Sequence, residues 1–117
     1  MPPELGLEVD AQQSGCTVLT VSGEVDVYSA PLLRQKLLDL AMAGPPRVVV
    51  NLEPVGFLDS TGLGVLVAGL NRFRRQGGEL ELICSQSRIL RLFEITGLTR
   101  VLTIYPSLDA ALATVSA

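Results

Sequence analysis

An acid followed directly by two hydroxyls, Asp59-Ser60-Thr61, is where this chain is best equipped for chemistry. Gly62 and Gly64 come next and allow close approach to the backbone. Upstream, Arg47-Val48-Val49-Val50-Asn51-Leu52 reads as a buried strand; downstream, Leu63, Leu66, Val67 and Leu70 recur at helical spacing and run on to Phe73. A strand leading through a short loop into a helix points the helix's free N–H groups at the carboxyl edge of the sheet. Open α/β sheets place their sites there. Unpaired amides and the helix dipole both favour negative charge, so such a helix start tolerates a phosphate well. Two readings follow. Asp59 and Ser60 sit where an N-cap belongs, and Asp-Ser-Thr before an apolar helix is ordinary capping chemistry. In the other reading, Ser60 is a hydroxyl presented for phosphorylation. Glu24 and Asp26, at alternate positions leaving a strand, would share one side and lean toward the same edge; a solvated strand end fits their spacing equally well.

The residue inventory narrows the chemistry. Without histidine there is no Ser-His-Asp arrangement, and the commonest general base is missing. Two distant cysteines, Cys16 and Cys84, make no zinc spacing. Lys36, the only lysine, follows no Gly-rich loop, which removes a phosphate-cradling P-loop. It also precedes Asp59, whereas a phosphoreceiver built on Asp59 needs a lysine at a later strand end. No enzyme activity and no cofactor or metal are expected. A formal charge of -3 is not the footprint of a nucleic-acid binder. The longest apolar run, Gly62 to Leu70, falls short of the roughly 20 residues that cross a bilayer. Met1-Pro2-Pro3-Glu4 lacks the basic and apolar regions of a signal peptide. The expectation is a cytoplasmic protein whose two thiols are buried and free.

The elements that must position Ser60 can be read in order. At 117 residues and 48% hydrophobic content, one domain with a single core over residues 1–117 is expected. Leu5, Leu7 and Val9 alternate with polar or small residues as a half-buried edge strand, Gln12 to Gly15 forms a turn, and Cys16 to Val21 returns as a second strand. Ser29 is placed to cap a helix whose buried face is Leu33, Leu37, Leu40 and Ala41 and which stops at Gly44-Pro45-Pro46. The Val48-Val49-Val50 run lacks alternation, as a central strand covered on both faces does. Glu53-Pro54-Val55-Gly56 reads as the loop before Asp59. On the next helix, Val65, Ala68 and Gly69 lie off the main apolar stripe, either as a small surface beside Ser60 or as helix-to-helix packing. Arg72, Arg74 and Arg75 complement the dipole at its end, which Gly77-Gly78 closes. A strand follows with Leu80, Leu82 and Cys84. A helix capped by Ser85 or Ser87 then carries Ile89, Leu92 and Phe93 inward to Gly97, with Arg88 and Arg91 on its solvated face. A short strand over Val101 to Tyr105 and a last helix holding Leu108, Ala111, Leu112 and Val115 complete the chain. The alternation after the opening hairpin predicts an α/β fold with a small mixed sheet, parallel inside and antiparallel at one edge.

Several segments in register carry a resemblance. Phe57-Leu58-Asp59-Ser60-Thr61-Gly62-Leu63-Gly64-Val65 resembles the signature of bacterial anti-sigma factor antagonists, the small cytosolic STAS-domain proteins. Gly23-Glu24-Val25-Asp26, Val48-Val49-Val50-Asn51-Leu52 and Leu92-Phe93-Glu94-Ile95-Thr96-Gly97-Leu98 resemble the family's other landmarks, in order, and the likeness runs from Leu7 to Leu112. It implies a single STAS-like domain with about four helices on a mixed sheet. It also implies a switch. The unphosphorylated form binds an anti-sigma factor that is itself a serine kinase, freeing a sigma factor; phosphorylation of Ser60 ends the interaction, and a serine phosphatase restores it. No direct contact with nucleic acid or membrane is implied. The expected partner surface is Asp26, Asp59, Ser60, Thr61, Gly62 and Val65. The alternative within the same fold is a constitutive STAS scaffold or transporter-associated subunit in which Ser60 is never modified.

Overall fold

Alternating apolar residues make the opening hairpin. In the computed structural model, which describes residues 5–12 and 15–113, β1 (Gly6–Ala11) and β2 (Cys16–Val25) pair antiparallel, with Leu7 opposite Val21 and Val9 opposite Leu19. Leu5 and Leu7 pack against the core, whereas Val9 stays exposed. Gln13 and Ser14 of the predicted turn lie outside the described residues, as does Val115 of the last helix. After β2 come α1 (Ala30–Ala43), β3 (Arg47–Asn51), β4 (Val55–Leu58), α2 (Ser60–Arg75), β5 (Glu79–Ile83), α3 (Ser87–Ile95), a short 3-10 turn (Leu98–Arg100), β6 (Ile104–Tyr105) and α4 (Leu108–Ala113). The sheet runs β1-β2-β3-β5-β6, antiparallel only between β1 and β2. This is the predicted α/β architecture, a mixed sheet with four helices.

The valine run shows how both faces are covered. Val48 and Val50 enter the main core with Leu33, Leu37, Leu66, Leu70 and Phe73 of α1 and α2. Val49 points the other way, into a smaller cluster with Cys16, Val18, Ile83 and Ala111 of α4. Adjacent strand residues face opposite sides, so a strand with three buried valines in succession must be sandwiched. Cys16 and Cys84 are both free and buried, and burial pushes both thiols up from their ordinary pKa. Arg47 and Glu81, paired across β3 and β5, are nearly buried on the α4 side; Arg47 Nη2 also donates to the Ala111 carbonyl (2.8 Å), which anchors α4. Gly77 closes α2 with φ +80°, and Gly78 N–H reaches back to the Phe73 carbonyl (2.8 Å).

Four local expectations are corrected. Val55 and Gly56 of the predicted Glu53–Gly56 loop instead open a strand, Val55–Leu58, that pairs parallel with the far end of β2: Gly23 with Val55, Glu24 with Phe57, Val25 with Leu58. The predicted strand over Val101 to Tyr105 shrinks to Ile104–Tyr105, because the 3-10 turn takes the chain around first. Neither Ser85 nor Ser87 caps α3. Gln86 holds the cap position, and its Nε2 donates instead to the carbonyls of Glu53 (2.8 Å) and Val55 (2.6 Å), while the Ser85 hydroxyl donates to Glu53 Oε2 (2.7 Å). Ser29 stands at the start of α1 without a side-chain bond to the helix amides.

Candidate functional site

The site is assembled by the pairing of β2 with β4. Because Val25 lies beside Leu58 in parallel register, the residues that follow each strand, Asp26 and Asp59, leave the sheet together. Asp59 N–H donates to the Val25 carbonyl (3.2 Å), joining the two strand ends directly. A bulge at Gly23/Glu24, where Gly23 has φ +90°, sets this register. β4 is held from its other side by Gln86 and by Arg88, whose Nη2 donates to the Gly56 carbonyl (3.0 Å).

At the α2 start the two sequence readings separate onto different residues. Asp59 is the N-cap, in extended backbone, and its Oδ1 accepts from Gly62 N–H at 3.0 Å. Ser60 is the first helical residue, exposed, and its hydroxyl has no hydrogen-bond partner among the described residues. Thr61 is likewise exposed with its hydroxyl unpaired among them. Capping therefore needs only the carboxylate, and both hydroxyls stand free at the positive end of a 16-residue helix.

Asp26 builds the opposing loop. Its Oδ1 accepts from the N–H groups of Tyr28 and Ser29, both at 2.9 Å. The Ser29 hydroxyl accepts from Asp26 N–H (3.0 Å) and donates to the Glu24 carbonyl (2.7 Å). Asp26 thus closes the turn that leads into α1, and the Ser29 hydroxyl, expected to cap the helix, braces that turn instead. The Ser29 amide, above all, holds the Asp26 carboxyl below the usual carboxylate range. Its Oδ2 has no partner among the described residues.

The remaining predicted residues fall into two groups. Gly62 is buried: a Cβ there would overlap Leu58 Cδ1 and come within 2.8 Å of Val25 Cγ1, so glycine lets α2 sit directly on the β2 and β4 ends. Gly64 faces open space instead. Val65 is half-buried and Ala68 exposed, one and two turns beyond Thr61 on the same helix face. Gly69 belongs to packing, since a Cβ would lie 3.0 Å from Leu37 Cδ1 and 3.1 Å from Leu80 Cδ1. The sequence reading missed an apolar rim. Val27 (59%) and Tyr28 (88%) directly after Asp26, Leu32 (59%) in the first turn of α1 and Phe57 (47%) two residues before Asp59 are all exposed. Two large apolar residues in a turn, where polar ones are usual, were the available signal. No group of three or more His, Cys, Asp or Glu among the described residues is placed to hold a metal, and no helix among them is long and apolar enough to cross a membrane.

Comparison with known proteins agrees with this geometry. The STAS domain family matches residues 9–111. An anti-sigma-B factor antagonist of Bacillus subtilis is 42% identical over 101 residues, covering 86% of this chain and 92% of the relative. The crystal structure of an anti-sigma factor antagonist from Mycobacterium paratuberculosis superimposes with a TM-score of 0.89 at 32% identity, covering 98% of this chain and 97% of the other. The Bacillus cell fate determinant SpoIIAA, solved in its phosphorylated form, shares the fold (TM-score 0.71, 18% identity, covering 92% and 97%). Two glycine-flanked hydroxyls on a capped helix start, a mixed sheet and this agreement along nearly the whole length lead to one assignment: the chain belongs to the STAS-domain family, among the anti-sigma factor antagonists.

Proposed function

We propose that Ser60 is the phosphoacceptor of a protein switch. The unmodified chain binds an anti-sigma factor that is also a serine kinase, and so frees a sigma factor. The kinase transfers the γ-phosphoryl group of ATP to Ser60 Oγ, releasing ADP and the hydroxyl proton, and binding ends. A serine phosphatase hydrolyses the phosphoester and restores the switch. The protein works by binding, in the cytoplasm, and the partner meets Asp26, Asp59, Ser60, Thr61, the α2 turn that Gly62 seats, and Val65.

The observation that carries this reading is the free Ser60 hydroxyl. Asp59 alone does the capping, so Ser60 can be modified without unmaking the helix. A phosphoryl group adds roughly two negative charges and bulk. The fold tolerates it at a helix start, while an interface shaped for a neutral hydroxyl does not. One like-charge contact at ~5 Å and an effective dielectric of ~20 costs about 3 kcal/mol, roughly a hundredfold in affinity. The apolar rim of Val27, Tyr28, Leu32 and Phe57 supplies the kind of surface a protein partner covers. Incubation with the anti-sigma partner and ATP, read by phosphopeptide mass spectrometry, tests the reading. Phosphate on Ser60, absent in Ser60→Ala, is expected; phosphate on Thr61 at the normal rate in that variant would assign the wrong hydroxyl.

A further inference from the structure

A second surface lies between α1 and α2, and it meets the Ser60 face at Val65. It is a groove of about 180 Å³ with a floor that includes Leu37, Val65 and Ala68 and a rim that includes Arg34, Arg72 and Arg75. All three arginines are exposed, and none has a carboxylate partner among the described residues, whose two ion pairs are Arg47–Glu81 and Arg74–Glu79. No acidic residue lines the groove. In a chain of net charge -3, three of its nine cations thus converge on one apolar trough.

Helix electrostatics explains only part of this. Arg72 and Arg75 lie in the last turn of α2, where a cation complements the dipole. Arg34 lies in the second turn of α1, toward the positive end, where its own helix gives it no such support. The registry of the helices is fixed where Leu37 meets Gly69. Both helices return from parallel strands, so they run in the same direction, and Arg34 falls beside the Val65–Leu66 level of α2. Arg72 and Arg75 come later on α2, about 9–14 Å along it at 1.5 Å per residue. The groove therefore carries positive charge toward both ends of an apolar floor.

We propose that this groove docks an acidic amphipathic helix of a protein partner. Carboxylates about two turns apart, at i and i+7, would meet Arg34 at one end and Arg72 or Arg75 at the other, with apolar residues at i+3 and i+4 on Leu37, Val65 and Ala68. An acidic segment is repelled by the chain's overall charge, so attraction confined to this trough gives register as well as affinity. The site shares Val65 with the Ser60 face but needs no modification of Ser60, and its arginines lie outside the switch surface.

The test uses the full chain, 15N-labelled, and a blocked 16-residue alanine-based helical peptide with Glu at i and i+7 and Leu at i+3 and i+4. Amide shifts confined to the facing sides of α1 and α2 are expected, with binding read by anisotropy weakening at least about threefold between 50 and 300 mM salt. The combined Arg34→Glu and Arg72→Glu variant should weaken binding about tenfold or more, and the milder Arg34→Gln and Arg72→Gln pair about threefold. Unchanged thermal unfolding of the Gln pair keeps the comparison valid if charge reversal disturbs the fold. Equal binding of a peptide with both Glu changed to Gln, shifts elsewhere or nowhere, or a second copy of the chain occupying the groove in sedimentation would each overturn the proposal.

Discussion

Replacing Asp59 by alanine removes one hydrogen bond, from Gly62 N–H to Oδ1 at 3.0 Å, and one negative charge at the start of α2. Loss of an N-cap side chain costs about 1 kcal/mol, and loss of a favourable charge in the first turn about 0.5 kcal/mol more. The sum, about 1.5 kcal/mol, corresponds to a Tm drop of about 6 °C for a chain of this size. Asp59→Asn keeps the acceptor and loses only the charge, so about 2 °C is expected. Ser60→Ala removes a hydroxyl that bonds nothing among the described residues, and Tm should move by no more than about 2 °C. Thermal unfolding of the three variants, followed by circular dichroism at pH 7 and low salt, measures this order. If Ser60→Ala loses as much as Asp59→Ala, the serine hydroxyl is part of the cap and is not free for a kinase.

Gly62→Ala should destabilise by about 1–3 kcal/mol, because its Cβ would strike Leu58 and Val25 beneath the helix start. Gly64→Ala, whose Cβ meets nothing within 4 Å, should instead stabilise by up to about 1 kcal/mol; urea unfolding of the pair separates the effects. The Asp26 carboxyl is held low chiefly by the Ser29 amide, so its contribution is present above its unfolded pKa and is lost as pH falls through the lower folded value. Asp26→Asn should therefore flatten the acid limb of the stability–pH curve below about pH 4 and also weaken partner binding. An unaltered acid limb would show that Asp26 titrates alike in both states.

The sequence was most legible where a local rule decides the structure. The stripes Leu33–Leu37–Leu40–Ala41 and Leu63–Leu66–Leu70–Phe73 needed only the helical period, and the buried valines of β3 only the absence of alternation. Asp59 as a cap followed from side-chain chemistry within three residues. What escaped depends on distant partners. β4 carries a four-residue strand after a proline turn, and it exists because the end of β2 offers an open edge some thirty residues earlier. Gln86 and Ser85 look like cap residues, but the Glu53 turn competes for them and wins. Ser29 stands at the cap position, but the tight turn after Asp26 engages its hydroxyl with the Asp26 N–H and the Glu24 carbonyl instead of the helix amides. The apolar rim escaped because no periodicity links Tyr28 to Phe57; only the β2–β4 register does.

On the proposed switch, charge on Ser60 ends partner binding at the interface while the fold persists. The most direct measurement is the affinity of the anti-sigma partner for the chain carrying phosphoserine at Ser60, set against the unmodified chain, by isothermal calorimetry, with Tm recorded for both. Affinity lower by at least about tenfold, the equivalent of ~1.4 kcal/mol, is expected at nearly unchanged Tm. Phosphoserine at Ser60 binding the partner as tightly as the free hydroxyl would contradict it, and the constitutive scaffold would take its place.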